Sequence, residues 1–254
     1  MIKQVKLLSL LSTALLLVTA CSGGTERSTE YAESATSSST DTTLVADSTI
    51  YALACDGCND TVLIFLRTPY RDSDPDTLNV LEASRQGHIY GLVHIGDKLA
   101  IIRNAEDTTV ADMVVSTDAL QGQWCYRVLP TLRERPDGSH LQLTERLRTQ
   151  LEEEREYSLI IKPDSVVFSR GFGGGPRTSD EEKDVIYPKP RRYRQWSMYN
   201  GQLLLAEVQL DSVGTMKALT IDTASFVQLT ADTLVLRFAD GDHTYYRKTD
   251  EAED

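Results

Sequence analysis

The sequence predicts an all-β protein, with a small β-barrel-like domain at residues 44–118 and an up-and-down antiparallel β-barrel with one helix at residues 119–249. Short runs of aliphatic, aromatic and β-branched residues recur through both regions, at the length of ordinary strands. Turn sequences such as Asn200-Gly201 and Asp240-Gly241 separate these runs where hairpins need them. Leucines at helical spacing occur in one segment, residues 139–156.

The small domain is predicted from six apolar runs, at residues 49–53, 61–66, 78–82, 89–95, 99–103 and 111–115. The first two are separated by Cys55-Asp56-Gly57-Cys58-Asn59-Asp60, a dense turn signal that predicts a hairpin. So many short strands in so short a region are typical of a small antiparallel barrel or half-sandwich.

The larger barrel is predicted to begin with a strand that runs through Val128. The helix follows, with Ser139 as its cap and a stripe formed by Leu141, Leu143, Leu147 and Leu151. Further strands are predicted at residues 157–162, 165–169, 193–199, 202–210, 216–221, 226–229, 233–238 and 243–247. Adjacent antiparallel strands in this number close most naturally as an up-and-down barrel.

The first twenty residues have the layout of a secretory signal, with Lys3 and Lys6 before a short apolar core. The segment ends in Leu17-Val18-Thr19-Ala20-Cys21, which resembles the lipobox of bacterial lipoproteins. The resemblance implies cleavage before Cys21, diacylation of its sulfur and a durable membrane anchor. Ser22 follows in place of an aspartate, which in that family implies outer-membrane sorting, facing either the periplasm or the outside. The alternative is an ordinary signal peptide followed by a cysteine.

Residues 21–43 are expected to form a lipidated, disordered tether, because serine and threonine dominate it and almost nothing in it is apolar. Asp followed by Ser or Thr recurs along the chain and resembles the acceptor motif of a bacterial envelope O-glycosylation system; Thr42 and Ser48 are the candidate sites. The same dipeptide also starts many turns. The net charge of −12 argues against a nucleic-acid partner, which would require a basic patch.

Gly122-Gln123-Trp124 matches the G-x-W that opens lipocalins, and Arg247 stands where that family places an arginine across the tryptophan. Residues 119–248 therefore resemble the lipocalin-like domains of bacterial envelope lipoproteins. The resemblance implies a barrel closed at one end by Trp124 and Arg247. A long insertion at residues 129–156 departs from the family pattern.

Once Cys21 is lipidated, Cys55, Cys58 and Cys125 remain. An oxidising envelope favours a disulfide between Cys55 and Cys58, which leaves Cys125 free or buried. A redox-active pair and a metal site are the alternatives. A strand is predicted after Cys58 where a redox motif would have a helix, and no second ligand pair is spaced for zinc.

No catalytic motif, metal set or cofactor motif is present in the sequence. The glycine-rich stretch at residues 171–176 lacks the ending of a phosphate loop, and the basic and aromatic residues at 190–196 are typical of an exposed strand. The expected function is non-catalytic binding of a small apolar or envelope-derived ligand. A structural or assembly partner of other envelope proteins, and a thiol-redox protein acting through Cys55 and Cys58, are the alternatives.

Overall fold

The computed structural model describes residues 46–69, 74–133, 143–171, 185–210 and 216–248, and these ranges belong to one compact unit. Strands dominate the described part, and eight of them form a nearly closed antiparallel barrel. The predicted all-β fold is therefore confirmed. A six-stranded sheet precedes the barrel along the chain, and a two-stranded ribbon completes the described strands.

The six-stranded sheet is formed by the first part of the chain. Its strands are β1 (Ile50–Ala54), β2 (Val62–Arg67), β3 (Asp76–Asn79), β4 (Ile89–Tyr90), β5 (Lys98–Arg103) and β6 (Ala111–Ser116). They are ordered β3-β2-β1-β5-β6-β4, and all neighbours are antiparallel except β4 and β6. Helix α1 (Leu81–Arg85) follows β3, and α2 (Thr117–Leu120) follows β6 with the Ser116 hydroxyl as its cap.

The two faces of this sheet belong to different apolar cores. Leu99 and Ile101 of β5 pack with Phe65 in a core that the sheet forms for itself. Ala100 and Val115 belong instead to the core of the barrel. The alternation of side chains along a strand explains how one sheet serves both cores.

The barrel is formed by the second part of the chain. Its strands are β7 (Gly122–Val128), β9 (Arg155–Ile161), β10 (Val167–Arg170), β12 (Gln195–Tyr199), β13 (Gln202–Leu210), β14 (Met216–Leu229), β15 (Thr233–Phe238) and β16 (Gly241–Arg247). They are ordered β10-β9-β7-β16-β15-β14-β13-β12. A bridge between Val166 and Gln195 brings the two outer strands together. The remaining elements are α3 (Glu145–Leu151) and the ribbon of β8 (Thr131–Leu132) with β11 (Val185–Ile186).

The predicted helix at residues 139–156 is shorter in the structure. Helix α3 spans Glu145–Leu151, and its cap is Thr144, whose hydroxyl accepts a hydrogen bond from the Leu147 N–H. Residues from Arg155 onward pair with β7 instead, so sheet pairing takes over where the sequence pattern was still helical. The predicted cap, Ser139, and Leu141 lie outside the described residues.

Two strand predictions also differ from the structure. The run at residues 78–82 ends as a strand at Asn79, whose side-chain oxygen accepts a hydrogen bond from the Leu81 N–H as the chain turns into α1. The runs at residues 216–221 and 226–229 form one continuous strand, β14. The division into domains at residue 118 stays a prediction. No helix in the described ranges is both long and apolar enough to cross a membrane.

Candidate binding cleft

One end of the barrel is fixed by Trp124 and Arg247, the pair that the sequence predicted to pack together. The Arg247 guanidinium lies 4.1 Å from the centre of the Trp124 ring, and the two residues are partners in the pairing of β7 with β16. The guanidinium also donates hydrogen bonds to the backbone carbonyls of Ala119, Gln121 and Ala231. These contacts tie three segments together, which is a structural role.

The first sheet packs against the same end of the barrel. The Gly91 N–H donates a 3.0 Å hydrogen bond to the carbonyl of Leu229, which precedes the turn between β14 and β15. The Tyr90 ring lies 5.3 Å from the ring of Phe226, centre to centre. The first sheet and the barrel are therefore in direct contact at this end.

The barrel interior is filled by its own side chains. Inward-facing residues of four strands belong to one cluster and are at most 3% exposed: Trp124, Leu159, Ile161, Leu203, Leu205, Leu234 and Leu236. Small barrels are often packed in this way and then leave no room for a ligand along their axis. A ligand site in this protein is better sought outside the barrel axis.

A cleft of about 370 Å³ lies between the first sheet and the edge of the barrel. One wall is formed by β1 and the start of β5, including Tyr51, Leu53 and Lys98. The opposite wall is formed by residues 196–198 of β12 and by the turn at Asp164 and Ser165. The lining mixes aromatic and aliphatic side chains with hydroxyls and two opposite charges. Such a mixture is typical of small-molecule sites.

The outer edge of β12 contributes backbone groups to this cleft. The Trp196 N–H donates a 2.9 Å hydrogen bond to the Ser165 carbonyl, so the backbone of Trp196 faces away from β13. The Met198 carbonyl faces the same way, because it accepts a 2.9 Å hydrogen bond from the Tyr51 hydroxyl. In an antiparallel pair the N–H and the C=O of one residue point to the same side. The Trp196 C=O and the Met198 N–H therefore also face the cleft.

The turn at one end of the cleft has an unusual backbone. Asp164 and Ser165 both have positive φ, 60° and 62°, in the hairpin turn between β9 and β10. This is the arrangement of a type I′ turn, for which glycine or asparagine is the preferred residue. The Lys162 N–H closes the hairpin with a 2.8 Å hydrogen bond to the Val166 carbonyl. The hairpin holds the Ser165 carbonyl against β12 and the Asp164 carboxylate beside the cleft.

Tyr51 crosses from the first sheet to the barrel. Burial of its ring and, secondly, the nearby Asp47 carboxylate raise the pKa of Tyr51. The hydroxyl therefore keeps its proton and remains a donor to Met198 at neutral pH. Lys98 and Asp164 are the charged groups among the lining residues, and neither makes an ion pair within the described part of the chain.

The predicted disulfide between Cys55 and Cys58 is not formed in the structure, where both residues and Cys125 are free thiols. The Cys58 sulfur accepts a 3.3 Å hydrogen bond from the Ile64 N–H across the hairpin. No group of three metal-ligating side chains comes together in the ranges that the structure covers. Cys125 is fully buried, and burial is the main reason that the pKa of its thiol is raised.

The candidate glycosylation sites, the lipidated cysteine, the glycine-rich stretch and the basic and aromatic stretch were also predicted from the sequence. Ser48 is exposed, and its hydroxyl donates a hydrogen bond to Asn200. Cys21 and Thr42 lie outside the described residues, as do residues 172–176 of the glycine-rich stretch. Arg191 and Tyr193, in the basic and aromatic stretch, both bind the carboxylate of Asp222. That part of the stretch is therefore engaged in internal contacts.

No family model matches the chain, and no curated protein or solved structure is significantly similar to it. The resemblance to lipocalins therefore stays a prediction, and the geometry of the cleft is the feature that bears on function.

Proposed function

We propose that this chain is a membrane-anchored lipoprotein of the bacterial outer membrane that binds a small envelope-derived ligand without catalysis. The cleft between the first sheet and β12 is the observation on which this proposal depends. Its volume of about 370 Å³ falls at the lower end of the usual range of small-molecule sites. The filled barrel interior argues against a purely apolar ligand held along the axis, and the polar lining of the cleft favours a ligand with hydrogen-bonding groups.

The anchor is proposed from the sequence. A lipid-modified Cys21 followed by the polar tether at residues 21–43 would hold the acidic folded part near, but clear of, the bilayer. Incorporation of labelled palmitate into the wild-type chain, and its loss in Cys21→Ala, would support this assignment. Equal labelling of both chains would contradict it.

Native mass spectrometry of the protein purified from its host membrane tests the binding proposal. We expect a reproducible additional small-molecule mass on the wild-type chain. Ser197→Tyr should remove that mass, because Ser197 is exposed and lines the cleft. Thr244→Tyr is the matched control, because Thr244 is an exposed strand residue that does not line the cleft. A mass retained equally by both variants, or an empty wild-type protein, would contradict the proposal.

A structural or assembly role is the second candidate function, and exposed apolar residues favour it. Leu219 and Ile221 of β14 are 53% and 55% exposed. The pairing of β14 with β15 involves only residues 225–229, so this part of β14 has β13 on one side and no strand of the described part on the other. Strand edges of this kind commonly pair with another chain. Cross-linking from residue 219 in intact cells tests it; a single reproducible protein adduct would favour assembly.

The thiol-redox alternative has weaker support. Cys55 and Cys58 lie in the turn between β1 and β2, so the element that follows them is a strand and not a helix. Alkylation before and after mild reduction tests it: thiols that never change oxidation state would rule out redox catalysis by this pair.

A further inference from the structure

We infer that the cleft binds a short extended peptide with a free amino terminus, which adds one residue in parallel to the outer edge of β12. This inference names the ligand class for the cleft and so rests on the proposed function. The backbone groups of β12 and the charged group at one end of the cleft support it.

Four backbone groups of β12 face the cleft, and two of them already have partners. The Trp196 N–H is bound to the Ser165 carbonyl, and the Met198 carbonyl is bound to the Tyr51 hydroxyl. The Trp196 C=O and the Met198 N–H lie between these two contacts, and neither has a partner among the described residues. The cleft therefore offers one acceptor and one donor, separated by Ser197.

The spacing of these two groups selects the kind of partner. In a parallel sheet, a residue lies opposite one residue of the neighbouring strand but forms no hydrogen bond with it. It donates its N–H to the carbonyl of the residue before that one and accepts a hydrogen bond from the N–H of the residue after it. The Trp196 C=O precedes Ser197 and the Met198 N–H follows it, so they are the two groups that a ligand residue opposite Ser197 would bind. An α-amino-acid residue presents its N–H and C=O on the same side and can bind both. A lone amide cannot, because its N–H and C=O point in opposite directions.

The charge in the cleft fits the direction of such a peptide. A segment parallel to β12 has its amino-terminal end beside Trp196, where the turn at Asp164 and Ser165 lies. An ammonium group at that position would face the Asp164 carboxylate. The cleft thus favours a peptide whose amino terminus is free.

Isothermal titration calorimetry on the detergent-solubilised full chain tests the inference, with trialanine as the probe. N-methylation of the second residue removes the N–H that would bind the Trp196 carbonyl. One hydrogen bond of this kind is worth roughly a two- to tenfold change in affinity. N-methylation of the third residue is the control, because alternate N–H groups of an extended segment point away from β12. We expect the first change to weaken binding and the second to leave it unaltered.

The ammonium contact is tested separately. N-acetyl-trialanine should bind about two- to fivefold more weakly than trialanine to the wild-type chain, as expected for an exposed ion pair. Both probes should bind Asp164→Asn alike. Asparagine tolerates positive φ, so this variant keeps the turn.

Three results would overturn the inference. They are equal binding of all trialanine analogues, no binding of trialanine at millimolar concentration, and preference for N-acetylglucosamine, which has a lone amide. If the native ligand mass is still lost in Ser197→Tyr, any of these results would leave the proposed function standing and exclude only the peptide. If no native mass is present at all, the proposed function itself fails.

Discussion

Replacing Arg247 with alanine removes a guanidinium that connects three segments at one end of the barrel. It donates hydrogen bonds to the carbonyls of Ala119, Gln121 and Ala231, and lies over the Trp124 ring at 4.1 Å. Hydrogen bonds from a charged donor contribute about 1.5–3 kcal/mol each, and a cation–π contact about 0.5–2 kcal/mol. These contributions are not additive for one side chain that remains partly exposed. We therefore expect Arg247→Ala to lower the free energy of unfolding by about 3 kcal/mol.

Urea unfolding followed by tryptophan fluorescence measures this effect, because Trp124 and Trp196 are the two tryptophans of the chain and both are buried. For a protein of this size the loss corresponds to a decrease in Tm of roughly 6–12 °C. Arg237→Ala is the matched control: Arg237 lies on the neighbouring strand and binds Asp242 through two nitrogens, but this pair is exposed to solvent. The control should leave the urea midpoint nearly unchanged. Equal effects of the two substitutions would refute the reasoning.

Three further outcomes are expected. Ser165→Gly should raise the free energy of unfolding by up to about 1 kcal/mol, because Ser165 has a φ of 62° at a position that favours glycine; a lower urea midpoint would contradict this. Cys125 should resist alkylation in the native protein and react once the protein is unfolded, because the residue is buried and burial is the main reason that its thiol pKa is raised. Mass spectrometry of the alkylated chain measures this, and rapid labelling of the native protein would contradict it. Hydrogen bonds from the Tyr246 hydroxyl and, secondly, from Lys248 lower the pKa of Glu156 in the folded protein. The ionised Glu156 therefore stabilises the fold above the pKa that it has in the unfolded chain, and this stabilisation is lost as the pH falls through its pKa in the folded protein. The difference in urea midpoint between wild type and Glu156→Gln should therefore shrink from pH 6 to pH 3, and a constant difference would argue against this contact.

The strands were predictable because their signal is local. The run at residues 233–238 coincides with β15 (Thr233–Phe238), where alternating apolar residues face the core. The helix at residues 139–156 was predicted too long because its last residues carry charges typical of a helix. Arg155 and its successors pair with β7 in the structure, and that pairing depends on a strand far back in the chain.

The cleft was less predictable than the strands. The sequence predicted strands at residues 157–162 and 165–169, but not that a carbonyl of the turn between them would meet β12. The contact between Tyr51 and Met198 joins residues 147 positions apart, which no local pattern specifies. The paired positive φ values at Asp164 and Ser165 were equally hidden, because neither residue is glycine. The barrel interior is filled because its inward-facing side chains are large. The sequence shows how large each side chain is, but not which side chains pack against one another.

The contact of Asp47 and Ser48 with Asn200 has a mechanical consequence. The Asn200 N–H donates to the Asp47 carboxylate, and the Asn200 side-chain oxygen accepts from the Ser48 N–H at 2.7 Å. The start of the described chain is thus pinned to the turn between β12 and β13, two residues beyond Met198. A force applied to the chain before Asp47 would act on these hydrogen bonds to Asn200 before it reached β1. The pairing of β1 with β5 follows at Ile50, and the hydrogen bond from Tyr51 to Met198 lies beside it in the wall of the cleft. Tension on the proposed tether and occupancy of the cleft would therefore act on neighbouring bonds.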